Sequence, residues 1–217
     1  MKSKNLPTAL VAVDICIFKI IDDKLCVYIT KVDNDNYKNM NCIPGGLIYL
    51  TDDADQTIKR IIESKTCLEE SRVYREQLCS FSRVDRDKRS RVVSIAYLGI
   101  YSGIKDEGFV DIRSTGKLAY DHNEILEKAE HRISSKLEYT TIVKKFMKNK
   151  FTYSELQKAY EVILGKKIDK RNFRKKIDSL DILKETGTLR KEGRMRPAQE
   201  YTFKSEKVQT FKLFGEF

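Results

Sequence analysis

No apolar run in the sequence approaches the roughly 20 residues that a membrane-spanning helix needs. The longest near the start, Ala9 to Phe18, is short and carries Asp14, which also excludes a signal-peptide core; the expectation is a cytoplasmic protein with no membrane partner. Metal-type spacing is missing too. The five cysteines (Cys16, Cys26, Cys42, Cys67 and Cys79) form no CxxC pair or Cys/His cluster, are odd in number and sit in largely apolar surroundings. They read as free thiols in a reducing compartment, with no metal and no cofactor expected. Of the two histidines, His122 reads as part of a helix start and His131 as a surface residue.

What the chain has is charge. Of its 217 residues 34% are charged and 41% hydrophobic, enough for a buried core under a well-solvated surface. Lys and Arg number 42 against 32 Asp and Glu, a formal +10 that points to a polyanionic partner. Residues 151–217 hold 16 of the basic and 10 of the acidic residues, so most of the excess lies in the C-terminal third.

The first 120 residues have strand character at Leu10–Phe18, at Leu25–Val32 after an Asp22-Asp23 turn, and at Val92–Tyr101. Between them, Ile58, Ile61, Ile62 and Leu68 recur at helical spacing behind Pro44-Gly45-Gly46. Asp121 is expected to cap a connector helix running to about Lys136, with Glu124 reaching back and Tyr120 stapled to Ile125. A short basic helix is expected over Leu137–Met147. Thr152 and Glu155 form a second capping box for a helix that Gly165 stops, and Asp169 caps a third, Lys170–Leu180. Ile182–Phe203 then reads as two strands around a basic turn. Three short helices and a hairpin make a winged helix-turn-helix. The expected fold is α+β, with residues 1–136 as the first domain and 137–217 as the second.

Pro44–Leu68 resembles the Nudix box, a Gly, five residues, Glu, seven residues, Arg-Glu, an aliphatic, any residue, Glu-Glu, any residue, Gly and an aliphatic. Gly46, Arg60, Ile62 and Leu68 keep their places and Asp52 replaces the first Glu. Ile61, Ser64 and Lys65 stand where the catalytic glutamates belong, and Cys67 where the Gly does. Positions i, i+3 and i+4 share a helical face, on which a working enzyme holds Mg²⁺ with carboxylate oxygens. An ammonium there repels a cation by about 4 kcal/mol per unit charge pair at 4 Å and an effective dielectric of 20. Glu63 lies about 100° around the helix and cannot substitute. SFSRVDRDKRSRVVSIAY (Ser80–Tyr97) and YDHNEIL (Tyr120–Leu126) resemble ADP-ribose-type Nudix domains, whereas residues 102–119 are short and lack the usual Trp-containing, Leu-Pro stretch. The resemblance implies a mixed-sheet α/β/α sandwich without hydrolase activity.

Lys166–Lys176 carries seven Lys/Arg and one Asp. Phe173, Ile177 and Leu180 fall on one side of the helix, and Arg171, Arg174 and Lys175 on the other. FTYSELQKAYEVILGKKIDKRNF (Phe151–Phe173) resembles the winged-helix half of the Nudix-related transcriptional regulators. That resemblance implies a homodimer on a double-stranded operator. Lys170, Arg171, Arg174 and Lys175 would read the groove, and Lys191, Arg194 and Arg196 in the wing would contact DNA. A small effector, ADP-ribose-like, NAD-related or a sugar, would bind the Nudix-like domain. Arg83, Asp85, Arg86, Asp87, Arg89 and Arg91, clustered in one loop, are the candidate effector contacts, because arginine suits a bidentate grip on phosphate. The alternatives are an ADP-ribose pyrophosphatase with residual activity and a nucleic-acid-binding protein that senses nothing.

Overall fold

The computed structural model describes residues 8–191 and 197–211. Arg194 and Arg196 therefore lie outside the described residues. Contacts divide the chain into two units: the residues up to Phe18 together with Cys26–Ala129, and Lys19–Leu25 together with the residues from Glu130 on.

The first unit contains β1 (Leu10–Ile21), β2 (Lys24–Tyr28), β3 (Thr30–Lys31), β4 (Asn41–Cys42), β5 (Gly45–Leu47), α1 (Ala54–Lys65), β6 (Val73–Phe81), β7 (Val92–Tyr101), β8 (Phe109–Asp111) and the start of α2 (His122–Tyr139). A mixed sheet runs β6-β7-β1-β2-β8, with β5 also pairing β1. β1 and β7 are parallel over nine residue pairs, from Leu10↔Val92 to Phe18↔Ile100. The β1–β2 turn has Asp22 and Asp23 at φ 47° and 61°, the left-handed pair of a tight hairpin that Asp tolerates.

Successive residues of a strand face opposite sides. Val13, Ile15 and Ile17 pack with Ile58, Ile61 and Ile62 of α1, all six fully buried. Asp14 therefore faces the other side, where α2 begins. Asp53 caps α1 with Gln56 in a reciprocal capping box. Gly45 pairs with Asp14, and a Cβ there would come within 1.9 Å of Asp14 Oδ1, so only glycine allows this approach.

The second unit contains the rest of α2, β9 (Phe151–Thr152), α3 (Tyr153–Leu164), α4 (Lys170–Ser179), β10 (Leu183–Arg190) and β11 (Ala198–Phe203). Its sheet runs β10-β11-β9. The caps of α3 (Thr152 with Glu155, and Gly165 at φ 65°) and of α4 (Asp169 to the Asn172 N–H) are those the sequence predicts. Tyr160 of α3 meets Phe173 of α4 edge to face at 5.2 Å, and Phe173 and Ile177 are buried. Two local expectations fail. α2 continues to Tyr139, and a 3₁₀ turn over Ile142–Phe146 replaces the basic helix of Leu137–Met147. The Thr140 hydroxyl donates to the Lys136 carbonyl and accepts from the Ile142 N–H, which ends the helix at a residue whose side chain competes for backbone bonds. β9 is too short to show a period and forms only by pairing with Glu200 and Tyr201.

Thr152→Ala should destabilise the second unit by about 1 kcal/mol, since the Glu155 N–H loses its acceptor. Urea unfolding followed through the helical signal measures it; an unchanged midpoint would mean the cap is not supporting α3.

Candidate functional site

Beside the Gly45-Gly46 turn of the first unit opens a cavity of about 660 Å³. Its wall takes Asp14 from β1, Lys31 and Asn34 from the β3 side, Cys42 from β4, Ser64 and Lys65 from α1, Arg86 and Arg89 from the loop before β7, and Tyr120 and His122 from the start of α2. Chain segments far apart in sequence converge here because β1 is central to the sheet.

A buried ionic cluster anchors one wall. The Arg86 guanidinium donates to both Asp121 oxygens at 2.8 Å and to Asp14 Oδ2 at 3.1 Å. The Ser94 hydroxyl donates to Asp14 Oδ2 at 2.6 Å, and His122 Nε2 lies 3.5 Å from Oδ1. His122 Nδ1 accepts from the Ile43 N–H at 3.2 Å, so the proton of a neutral ring sits on Nε2, directed at Asp14. Burial alone would raise the Asp14 carboxyl, but the His122 charge and hydrogen bond, the Ser94 hydroxyl and the Arg86 charge outweigh it and hold the group at about 2.

The candidate effector residues thus divide. Arg86, Asp87 and Arg89 reach the cavity, whereas Arg83, Asp85 and Arg91 are not part of its wall. Each arginine already has partners: Arg83 binds Asp85 at 2.8 Å and Glu124 at 2.6 Å, Arg89 grips Asp87 at 2.7 Å, and Arg91 donates to the Arg83 and Val92 carbonyls at 3.3 Å. Arg83, Arg86 and Arg89 brace the loop through carboxylates, most of them outside it, whereas Arg91 meets only carbonyl groups. Asp121 and Glu124, expected to cap α2, are engaged with Arg86 and Arg83, because a guanidinium in reach is a stronger partner than a lone backbone N–H. Tyr120, expected to staple to Ile125, takes φ 55° and stacks at 4.2 Å on Tyr37. His122, read as structural, is a cavity residue; the sequence signal for it was the Asp-His pair opening a helix.

The degenerate box lies on the opposite wall. Ile61 is core, Ser64 donates to the Arg60 carbonyl at 2.6 Å, and Lys65 Nζ donates to the Gly45 carbonyl at 2.7 Å. Arg60 is held by Asp52 at 3.1 Å and the Leu47 carbonyl at 3.0 Å, and lies 3.8 Å above the Tyr49 ring. An ammonium, an aliphatic and a hydroxyl do not fit a divalent cation, which requires carboxylate oxygens.

In the second unit Lys170, Arg171, Arg174 and Lys175 are all exposed; Arg171 and Lys175 lie on the side of α4 away from buried Phe173 and Ile177, Arg174 flanks that side, and Lys170, three positions before Phe173, lies at the edge of the buried side. Arg174 lies 3.7 Å from Asp178 and 4.9 Å over the Tyr153 ring. Lys170, Arg171 and Lys175 have no ion pair among the described residues. Lys191 is exposed just after β10. Arg190, which the sequence did not single out, is bound by Glu155 and Glu200 at 2.7 and 2.6 Å and ties the hairpin to α3.

A carboxyl held below its unfolded value contributes stability above that value and loses it as pH falls through the folded one. For Asp14 the window is pH 4 down to 2, and the contribution is about 2 kcal/mol at neutral pH. Asp14→Asn should flatten acid unfolding in that window. Arg86→Ala, which strands two buried carboxylates, should cost about 3 to 5 kcal/mol. Urea titrations between pH 2 and 7 test both; an Arg86→Ala protein as stable as wild type would show that the cluster is not structural.

The NrtR DNA-binding winged helix domain matches residues 143–203. The ADPR-responsive transcriptional repressor NtrR of Acinetobacter baylyi is 28% identical over 215 residues, 93% of this chain and 85% of its own length. Shewanella oneidensis NrtR is 30% identical with a TM-score of 0.74, covering 90% of this chain and 94% of that one. Its complex with a 27mer DNA has a TM-score of 0.76 at 29% identity, covering 89% and 93%. Its NUDIX domain in complex with ADP ribose matches 61% of this chain and 94% of that one, with 27% identity and a TM-score of 0.51. The ADP-ribose pyrophosphatase of Methanocaldococcus jannaschii is 30% identical over 116 residues, half of this chain and 68% of its own. The likeness to the regulators thus runs through both units, and that to the hydrolase through about half of the chain. With a Nudix-type sheet whose metal face is lost, followed by a winged helix with an exposed basic helix, the chain belongs to the NrtR family of DNA-binding transcriptional regulators.

Proposed function

We propose that this regulator binds ADP-ribose, or a closely related nucleoside diphosphate sugar, in the cavity of its Nudix-type domain without hydrolysing it. Residues 1–136 form the effector domain and residues 137–217 the operator-binding domain of a cytoplasmic homodimer. The observation that carries the reading is Lys65: its ammonium meets the Gly45 carbonyl on the wall where a hydrolase of this fold needs carboxylates. The ligand assignment is supported by the Acinetobacter repressor and the Shewanella complex, and by a cavity of a size suited to a small molecule.

On the DNA side, α4 lies in the groove, buried by Phe173 and Ile177 on one edge and offering Arg171, Arg174 and Lys175 from its exposed side, with Lys170 at its first turn. Lys191 contacts the backbone from the wing, and Arg194 and Arg196 are assigned there on sequence alone. Arg171, with no ion pair among the described residues, is the stronger candidate for a base contact; Arg174 must first release Asp178 and Tyr153.

Purified protein with ADP-ribose and Mg²⁺ or Mn²⁺ should show no turnover above a sample lacking metal; measurable release of AMP would overturn the inactive reading.

Operator fragments selected from the source genome should carry two half-sites about one helical turn, or a multiple of it, apart. Arg171→Ala should lose about 1 to 3 kcal/mol and relax sequence preference, whereas Lys191→Ala should weaken all sequences alike and reduce the salt slope by about one. Failure to enrich any fragment, or wild-type binding by both variants across a salt series, would count against the DNA assignment.

A further inference from the structure

The cavity wall carries five cations, and their pairing is unequal. Arg60 is compensated by Asp52, Arg86 by Asp14 and Asp121, and Arg89 by Asp87. Lys65 and Lys31 have no carboxylate partner among the described residues. An ammonium has three donors, and Lys65 uses one on the Gly45 carbonyl, leaving two for a ligand. Both lysines are exposed, and both act electrostatically on the Cys42 thiol of the same wall. They come from different elements, α1 and β3, and are brought together by the fold rather than by sequence.

Asp33, exposed, also lines the cavity without a basic partner. It repels phosphate and accepts from hydroxyls, so the anion belongs beside Lys65 and Gly45 and a sugar nearer Asp33.

We propose that Lys65, with Lys31, forms a metal-independent subsite for the diphosphate of the effector, the ammonium standing where hydrolases of this fold hold their divalent cation. The inference rests on the effector reading above and adds its chemistry. Hydrolases need the cation both to bind the diphosphate and to activate water. A lysine at that position supplies the charge for binding and no Lewis acid for attack, so the lysine keeps recognition where the lost carboxylates at Ile61, Ser64 and Lys65 leave no metal for turnover. The loop arginines then act as a brace and not as phosphate ligands.

Calorimetry on the full chain in EDTA and in Mg²⁺ tests this with three probes, ADP-ribose, inorganic diphosphate and uncharged adenosine. Wild type should bind ADP-ribose and diphosphate equally well in EDTA and in Mg²⁺. Lys65→Met should weaken both by about tenfold or more, and Lys31→Met by less, as expected for loss of a charge-assisted hydrogen bond. Lys65→Glu should abolish binding in EDTA and regain part of it in Mg²⁺. ADP-ribose binding that needs Mg²⁺ in wild type, or is unchanged in both methionine variants, overturns the subsite and leaves the ligand reading intact. Diphosphate binding that depends on Lys65, with no binding of ADP-ribose, supports the subsite and overturns the ligand. Binding of neither anion overturns both, and adenosine bound as tightly as ADP-ribose overturns the subsite.

Discussion

The Arg86 guanidinium held between Asp14 and Asp121 is the contact on which the effector unit is organised. It joins the central strand, the loop before β7 and the start of α2, three segments that share no local sequence. Charges this deeply buried are tolerable only when paired and hydrogen-bonded, and this cluster meets that condition with five groups: Arg86, Asp14, Asp121, Ser94 and His122. Tyr120, the residue before Asp121, takes a left-handed φ of 55°, and its ring lines the cavity with Tyr37 behind it at 4.2 Å. The consequence of the pairing is electrostatic, since a guanidinium neutralised by two carboxylates has little charge left to offer a phosphate.

That constraint separates two uses of positive charge. Arginine dominates where the partner is a carboxylate within the chain, at Arg86, Arg89, Arg60 and Arg190, because its planar fork matches two oxygens at once. Lysine is left where charge must remain available, at Lys65 and Lys31 in the cavity and at Lys170 and Lys175 on α4. Arg171 is likewise exposed with no ion pair among the described residues, on the helix assigned to DNA.

The relation to hydrolases follows from α1. The helix keeps its capping box, its buried isoleucines and the Arg60–Asp52 pair, all of which serve folding. What changed are the positions whose only task was to hold a metal. Ile61 has joined the core, and the neighbouring face carries a hydroxyl turned to its own backbone and an ammonium turned to Gly45. Fold and metal binding draw on separate residues of one helix, so the fold persists where the carboxylates do not.

The elements whose signals are local were legible in the sequence: the Thr152–Glu155 capping box, the Asp169 cap, the Asp22-Asp23 hairpin, the glycine stop of α3, the basic face of α4 opposite Phe173 and Ile177, and the replaced box positions. Their physics acts within a few residues, and a linear pattern carries it. The end of α2 was misread because Thr140 turns its hydroxyl to the backbone, a choice no periodicity encodes. The two-residue β9 was invisible because pairing alone creates it. For the site, the sequence determined which charges exist, and only the tertiary structure decided which of them are spent. Arg86 looked free in a string of arginines and is buried against two carboxylates 72 and 35 positions away, while Lys65, which in sequence only spoiled a metal site, is left with donors facing a cavity. Whether a charge is available depends on the dielectric around it and on its nearest opposite charge, and chain closure sets both.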